Sequence, residues 1–351
     1  MTEPIILTCK VNGHFQNFKV INSLSTLGAY GTVYKVQHII SEDKIEAFSP
    51  SELAIKVFFK QELPFSGYQD FLEKLDREHF IYPMRSFSAD AEMQIGKKKP
   101  DPVTIVAMEY FAGDNLYVYR KSLDTDRISD PKEQIGLSIK LFSLLSEMHR
   151  HKIVHRDIKP ENILRQPIEE EGSFKLAFVD FDFAFDYDPD IPRTSQKGTF
   201  SFFSPEIILN YLIKGDSAKT DTEKEEGFVP LDCKTDVWSA LSSLFNLFTK
   251  RFFFSESSLT NILMNIQWEL MQKRKTNPEL DYKTEFYKFF KSYIDKKIKK
   301  TEKRLSLKMM QFFLWAFIVD PQKRRTSQEI LDYLTANLSY LLQESEEEGI
   351  A

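Results

Sequence analysis

The stretch His155-Arg156-Asp157-Ile158-Lys159-Pro160-Glu161-Asn162 decides how the chain is read. It sets a carboxylate at Asp157, a cation two residues on at Lys159 and an amide oxygen at Asn162, all within reach of one loop. That donor set suits phosphoryl transfer. Asp157 can accept the proton of an attacking hydroxyl, Lys159 can neutralise the moving phosphate, and Asn162 offers a hard oxygen to a divalent cation.

On either side the hydrophobic pattern changes character. Upstream, Phe18 to Ile21, Gly31 to Val36, Leu53 to Phe59 and Val103 to Glu109 are short runs of β-branched and aromatic residues with Gly, Pro or Ser between them. They predict a small antiparallel sheet, interrupted by one helix from about Gln69 to Glu78. From Ile135, apolar residues recur at helical spacing through Ile139, Phe142, Leu145 and Met148, and the remainder reads as mainly helical. The expected class is α+β: a strand lobe over 1–111, a helical lobe over 112–340 and an acidic tail over 341–351. A thin connection at Tyr110 to Gly113 predicts a cleft where the lobes meet. Gly215 to Gly227 and Ser41 to Ser51 read as insertions, and Glu169 to Gly172 as a hairpin turn.

Composition narrows the function classes. The 351 residues are 42% hydrophobic and 28% charged, enough for a core and unlike a disordered chain. A net charge of −5 argues against a surface built for nucleic acid. Cys9 and Cys233 form no disulfide framework and no zinc cluster. No apolar run reaches the roughly 18 residues of a membrane span, and the N-terminus has no signal-peptide pattern, so a cytoplasmic protein is expected.

The catalytic-loop pattern H-R-D-x-x-x-x-N is matched by His155 to Asn162 without a gap, and here the chain resembles the eukaryotic-type protein kinases. The resemblance covers nearly the whole length and implies a bilobal fold that uses ATP with Mg²⁺ or Mn²⁺. Leu53-Ala54-Ile55-Lys56 looks like the V-A-I-K strand, with Lys56 on the α- and β-phosphates. Leu27-Gly28-Ala29-Tyr30-Gly31-Thr32-Val33 resembles the glycine-rich loop, Gly28 and Gly31 matching two of its glycines and Thr26 standing at the first. Met108 to Gly113 is similar to the hinge: Met108 as gatekeeper, the backbone of Glu109 and Phe111 on adenine, and Val33, Ala54 and Leu164 on its faces. Asp180-Phe181-Asp182 resembles D-F-G, with Asp180 as a metal ligand beside Asn162.

Gly198-Thr199 and Ser204-Pro205-Glu206 look like the end of an activation segment, and the resemblance implies that Glu206 pairs with Arg324 and that Asp236 holds the catalytic loop. Thr199 with Lys159 points to the serine/threonine branch, hence to protein substrates with Ser or Thr hydroxyls. The glutamate that pairs with Lys56 is read first as Glu73, with Asp70, Glu62 and Glu78 left open. Asp182 departs from the family glycine, which would stiffen the loop, shift metal preference towards manganese or mark a catalytically silent protein. Phosphate on Ser195 could pair with Arg156, or Thr194 and Ser195 are plain loop residues. Phe286, Phe289, Phe290, Tyr293 and Ile298 read as an amphipathic helix beside a basic stretch at 296–304, either solvated or open to an anionic ligand such as a phosphorylated small molecule, an acidic partner or a membrane surface. Alternatives are a pseudokinase acting as a nucleotide-binding or scaffolding module, and a kinase of small molecules or lipids. The insertions fit a divergent kinase such as a bacterial effector delivered into a host cytosol, or a viral enzyme.

Overall fold

The computed structural model describes residues 5–11, 14–24, 31–39, 52–58, 69–84, 88–95, 101–122, 130–170, 172–195, 197–215, 222, 227–254, 256–277, 279–301 and 305–343. The chain divides into two compact units, one of Met1–Gly113 with Ala177–Asp182, the other of Asp114–Leu176 with Phe183–Ala351. The fold is α+β, with an N-terminal antiparallel sheet and a mainly helical C-terminal part.

In the first unit, strands β1 (Ile5–Val11), β2 (His14–Ser23), β3 (Thr32–Ile39), β4 (Glu52–Phe58), β6 (Ser88–Ile95) and β7 (Asp101–Glu109) close a barrel in the order β1-β2-β3-β4-β7-β6. The sequence reading lacks β1 and β6, and these two pair with each other to close the sheet. Alternation sorts the faces. Leu53, Ile55 and Val57 of β4 turn inward with Leu7, Phe18, Val36, Met93, Val103 and Ile105. Ala54 and Lys56 therefore occupy the other face, opposite Met108 and Val106 of β7.

The helix expected over Gln69 to Glu78 is a single 3₁₀ turn, Asp70–Lys74. Its physical reason lies in Asp76, whose Oδ1 accepts from the backbone N–H groups of Glu78 and His79 at 3.0 and 2.9 Å. Such a local side-chain acceptor offers the backbone an alternative to the helical ladder. Strand β5 (Phe80–Ile81) follows and pairs in parallel with the C-terminal end of β11 (Phe174–Val179). This tie carries Ala177–Asp182 into the first unit.

The second unit begins with β8 (Asp114–Asn115) and α1 (Leu116–Ser122), and β8 pairs with β10 (Ile163–Pro167). Helix α2 (Pro131–Arg150) is capped by Asp130, whose side chain accepts from the Lys132 N–H, and buries Ile135, Leu141, Phe142, Leu145 and Met148. After β9 (Ile153–Val154) and β12 (Phe185–Asp186), which pair with each other, come α3 (Pro205–Gly215) and α4 (Cys233–Thr249). Helix α4 is buried from Thr235 to Thr249. The abundant phenylalanines are concentrated around it: Phe245 stacks on Phe253 at 4.2 Å, and Trp238 meets Phe317 edge-on at 5.0 Å. Each such side chain contributes about 1.5–3 kcal/mol by leaving water. Helices α5 (Glu256–Thr276), α6 (Tyr282–Lys299), α7 (Leu307–Ala316), α8 (Ser327–Ala336) and α9 (Leu338–Leu342) complete the unit. Helix α6 buries Phe286, Phe290, Ile294 and Ile298, and Lys296, Lys297 and Lys299 lie in its last turn, where the carbonyl end attracts cations. Lys303 and Arg304, most of the 215–227 insertion, the 41–51 insertion and the tail from Glu344 onward lie outside the described residues.

Glu206 at the start of α3 and Arg324 form a fully buried ion pair, Nη1 to Oε1 at 2.8 Å and Nη2 to Oε2 at 2.7 Å. Burial works to raise the Glu206 pKa, but Arg324 outweighs it and holds the carboxyl below the ordinary glutamate value. A depressed folded pKa contributes stability above the unfolded value of 4.5 that is lost as pH falls through the folded one. Glu206→Gln leaves a buried guanidinium without its counter-charge, so urea denaturation at pH 7 is expected to register a loss of about 3–5 kcal/mol. The gap between variant and wild type should narrow as the pH is lowered below 4.5.

Candidate active site

The loop 155–162 is held from below by a buried carboxylate. Asp236 on α4 is fully buried and accepts from the backbone N–H groups of His155 (Oδ2, 2.6 Å) and Arg156 (Oδ1, 2.8 Å). Arg156 takes a left-handed backbone conformation, φ 67°. Its Nε donates to the Phe183 carbonyl at 2.5 Å and its Nη1 to Ser195 Oγ at 2.5 Å. Burial pushes the guanidinium down to about 10, which leaves it charged at neutral pH. Gly198, φ 117°, lies so near the Arg156 carbonyl that a Cβ would meet that oxygen at 2.5 Å, and here only glycine fits.

Asp157 is buried, and its two oxygens are used differently. Oδ2 accepts from Lys159 Nζ at 2.8 Å and from Asn162 Nδ2 at 3.1 Å, whereas Oδ1 is buried without a hydrogen-bond partner among the described residues. A buried acceptor without a donor is costly, and its presence marks a place where a hydroxyl could donate. Lys159 Nζ also donates to Thr199 Oγ1 at 2.7 Å, tying the 198–206 segment to the loop. The Asn162 amide donates a second time, to the Asp157 carbonyl, so its amide oxygen is the end with acceptor capacity for a cation. The second unit thus brings together Asp157, Lys159 and Asn162. Leu164 lies on β10 opposite Asn115, half-buried.

In the first unit Lys56 is buried on the outer face of β4, in register with Val33 and Val106. Its Nζ donates to Asp180 Oδ1 at 2.7 Å and to Asp182 Oδ2. Asp180 is delivered by the β5–β11 pairing and a left-handed turn, φ 66°. Phe181, buried edge-on against Tyr82 at 6.3 Å, fixes that turn. Glu73 is exposed on the 3₁₀ turn, and the described carboxylates that pair with Lys56 are Asp180 and Asp182 instead. Burial would lower the Lys56 pKa, but the attraction of Asp180 and then Asp182 lifts it above the ordinary lysine value. Burial, reinforced by the Asp180 charge, raises Asp182 to about 6. Two carboxylates on one ammonium leave a negative charge in excess, which a divalent cation would relieve, so the donor set fits one.

The remaining nucleotide-binding candidates are also in the first unit. Ala54 and Met108 are buried cross-strand neighbours, and Val33 and Phe111 are half-buried. The Phe111 carbonyl accepts from the Gly113 N–H at 2.9 Å. A Cβ on Gly31 would meet the Val57 carbonyl oxygen at 2.6 Å, so the approach of β4 requires this glycine. Gly28 and Thr26 lie outside the described residues, as does Glu62. Sequence reading missed Arg77, which grips Glu109 with both oxygens on Nη1 at 3.0 and 2.9 Å and lies over the Tyr82 ring. No motif or periodicity marks that arginine.

Comparison with known proteins adds an independent line. The protein kinase domain family matches residues 27–334. The carbon catabolite-derepressing protein kinase of Saccharomyces cerevisiae is 26% identical over 257 residues, 72% of this chain and 34% of that protein. Serine/threonine-protein kinase PrkC of Bacillus subtilis is 24% identical over 282 residues, 79% of this chain and 37% of that protein. Aurora kinase B of Mus musculus is 26% identical over 203 residues, 55% of this chain and 49% of that protein. The chain spans about a third of the length of the first two relatives. With the family match running across most of its length, the chain belongs to the protein kinase domain family.

Proposed function

We propose that the protein is an ATP-dependent serine/threonine protein kinase that passes the γ-phosphate to a protein hydroxyl. The observation that carries this reading is the arrangement at Asp157, one carboxylate oxygen held by Lys159 and Asn162 and the other buried without a donor among the described residues. Asp157 would accept the proton of the substrate hydroxyl at Oδ1 and hold it in line. Lys159, already bonded to Thr199, would neutralise the moving phosphate. Lys56 would bind the α- and β-phosphates, Asp180 and Asn162 would each ligate Mg²⁺ or Mn²⁺, and Gly28, Gly31, Val33, Ala54, Met108, Glu109, Phe111 and Leu164 would bind the nucleotide. The metal and ATP supply charge neutralisation and the transferable group; the protein supplies position and field.

A second reading, a nucleotide-binding pseudokinase, is favoured by one observation: Lys56 is engaged by both Asp180 and Asp182 rather than by a glutamate of the 69–78 segment. Labelled ATP with magnesium or manganese and a basic protein substrate separates the two, since binding without any transfer would establish the pseudokinase. Asp157→Ala is expected to lower kcat roughly 10²- to 10⁴-fold, as for other positioned acid–base groups, with the urea midpoint checked alongside. Asp180→Ala should abolish turnover with both metals; normal transfer with either one would remove Asp180 from the ligand set.

A further inference from the structure

The aspartate that breaks the family's D-F-G pattern sits on the ammonium that the pattern leaves waiting for a glutamate. We propose that Asp182 is a positioning residue, the resident counter-ion that holds Lys56 in the role a helix-borne glutamate would otherwise fill. Its bearing on turnover rests on the kinase reading above, whereas the pairing itself rests on geometry.

Three observations converge. Lys56 Nζ bonds directly to Asp182 Oδ2 as well as to Asp180 Oδ1. The segment expected to bear the glutamate makes one 3₁₀ turn with Glu73 exposed. The two carboxylates differ in access: the Asp182 side chain is 17% exposed, close to the 11% of Lys56, and that of Asp180 is 35% exposed. The charges then divide by access. Asp180 is the more open carboxylate, the side on which a cation would approach, and Asp182 is the one enclosed with Lys56. Phe181, buried on Tyr82 between the two aspartates in sequence, anchors the turn that carries both. A glycine at 182 would provide none of this. An asparagine would keep the shape and lose the charge.

A double-mutant cycle on the full chain tests the pairing without reference to activity. Lys56→Met should lower the urea midpoint less in an Asp182→Asn background than in the wild type, because one fewer buried carboxylate is left without its cation. The same substitution should be additive with Glu73→Gln and with Glu62→Gln. Should Lys56→Met fail to fold, Lys56→Gln serves in the same cycle. In steady state, Asp182→Gly, which restores the family residue, should raise KM for ATP about tenfold with a smaller change in kcat, the loss expected of one charge-assisted hydrogen bond. Asp182→Glu should recover most of that affinity. Equal effects of Lys56→Met in both backgrounds, coupling to Glu73 or Glu62 instead, or a glycine variant that binds ATP as well as the wild type, would each overturn the proposal. A wild-type protein that transfers no phosphate would remove the kinase reading alone, and the urea cycle would still decide the role of Asp182.

Discussion

A carboxylate cut off from water must find donors inside the protein, and Asp236 finds them in two consecutive backbone N–H groups, those of His155 and Arg156. Because it sits on α4, which is buried along most of its length, the carboxylate cannot move without disturbing the aromatic packing around Trp238 and Phe245. The loop therefore inherits the rigidity of the core. With its N–H fixed, Arg156 holds a left-handed backbone that costs about 1–3 kcal/mol in isolation. The carbonyl so directed is approached by Gly198, and the next residue, Asp157, is set with one oxygen satisfied and one without a partner among the described residues. The chemistry attributed to Asp157 is thus downstream of a contact that never meets a substrate.

The first unit solves a different problem, that of keeping a lysine charged while burying it. One carboxylate would suffice for neutrality; two overshoot, and the Asp180 charge adds to burial in raising the Asp182 pKa. Structures tolerate such imbalance where a ligand later redresses it. A lysine and two aspartates thus form a cluster with one negative charge in excess, while the exposed Glu73 takes no part.

Much of this is legible in the amino-acid sequence itself. The 155–162 loop, its anchor Asp236 and the Glu206–Arg324 pair are readable because those stretches match motifs of the protein kinase family. Strands β2, β3, β4 and β7 carry clear apolar runs. Strands β1 and β6 do not: Ser88-Ala89-Asp90-Ala91-Glu92 has weak β-propensity alone and is a strand because β7 and β1 flank it. The shortened helix was hidden for a similar reason, since apolar spacing cannot register that Asp76 captures the N–H groups of Glu78 and His79. Asp182 was visible as a departure, but its partner was not, because 126 residues separate it from Lys56 and only the fold joins them.

Closure of the six strands into a ring has a bearing on how this unit meets other molecules. An open sheet presents unpaired rims that invite a foreign strand, whether as a legitimate recruit or as the seed of an aggregate. Here the pairing of β1 with β6 spends those rims internally. Any protein that engages the ring must then do so through side chains, not by extending its ladder of main-chain bonds.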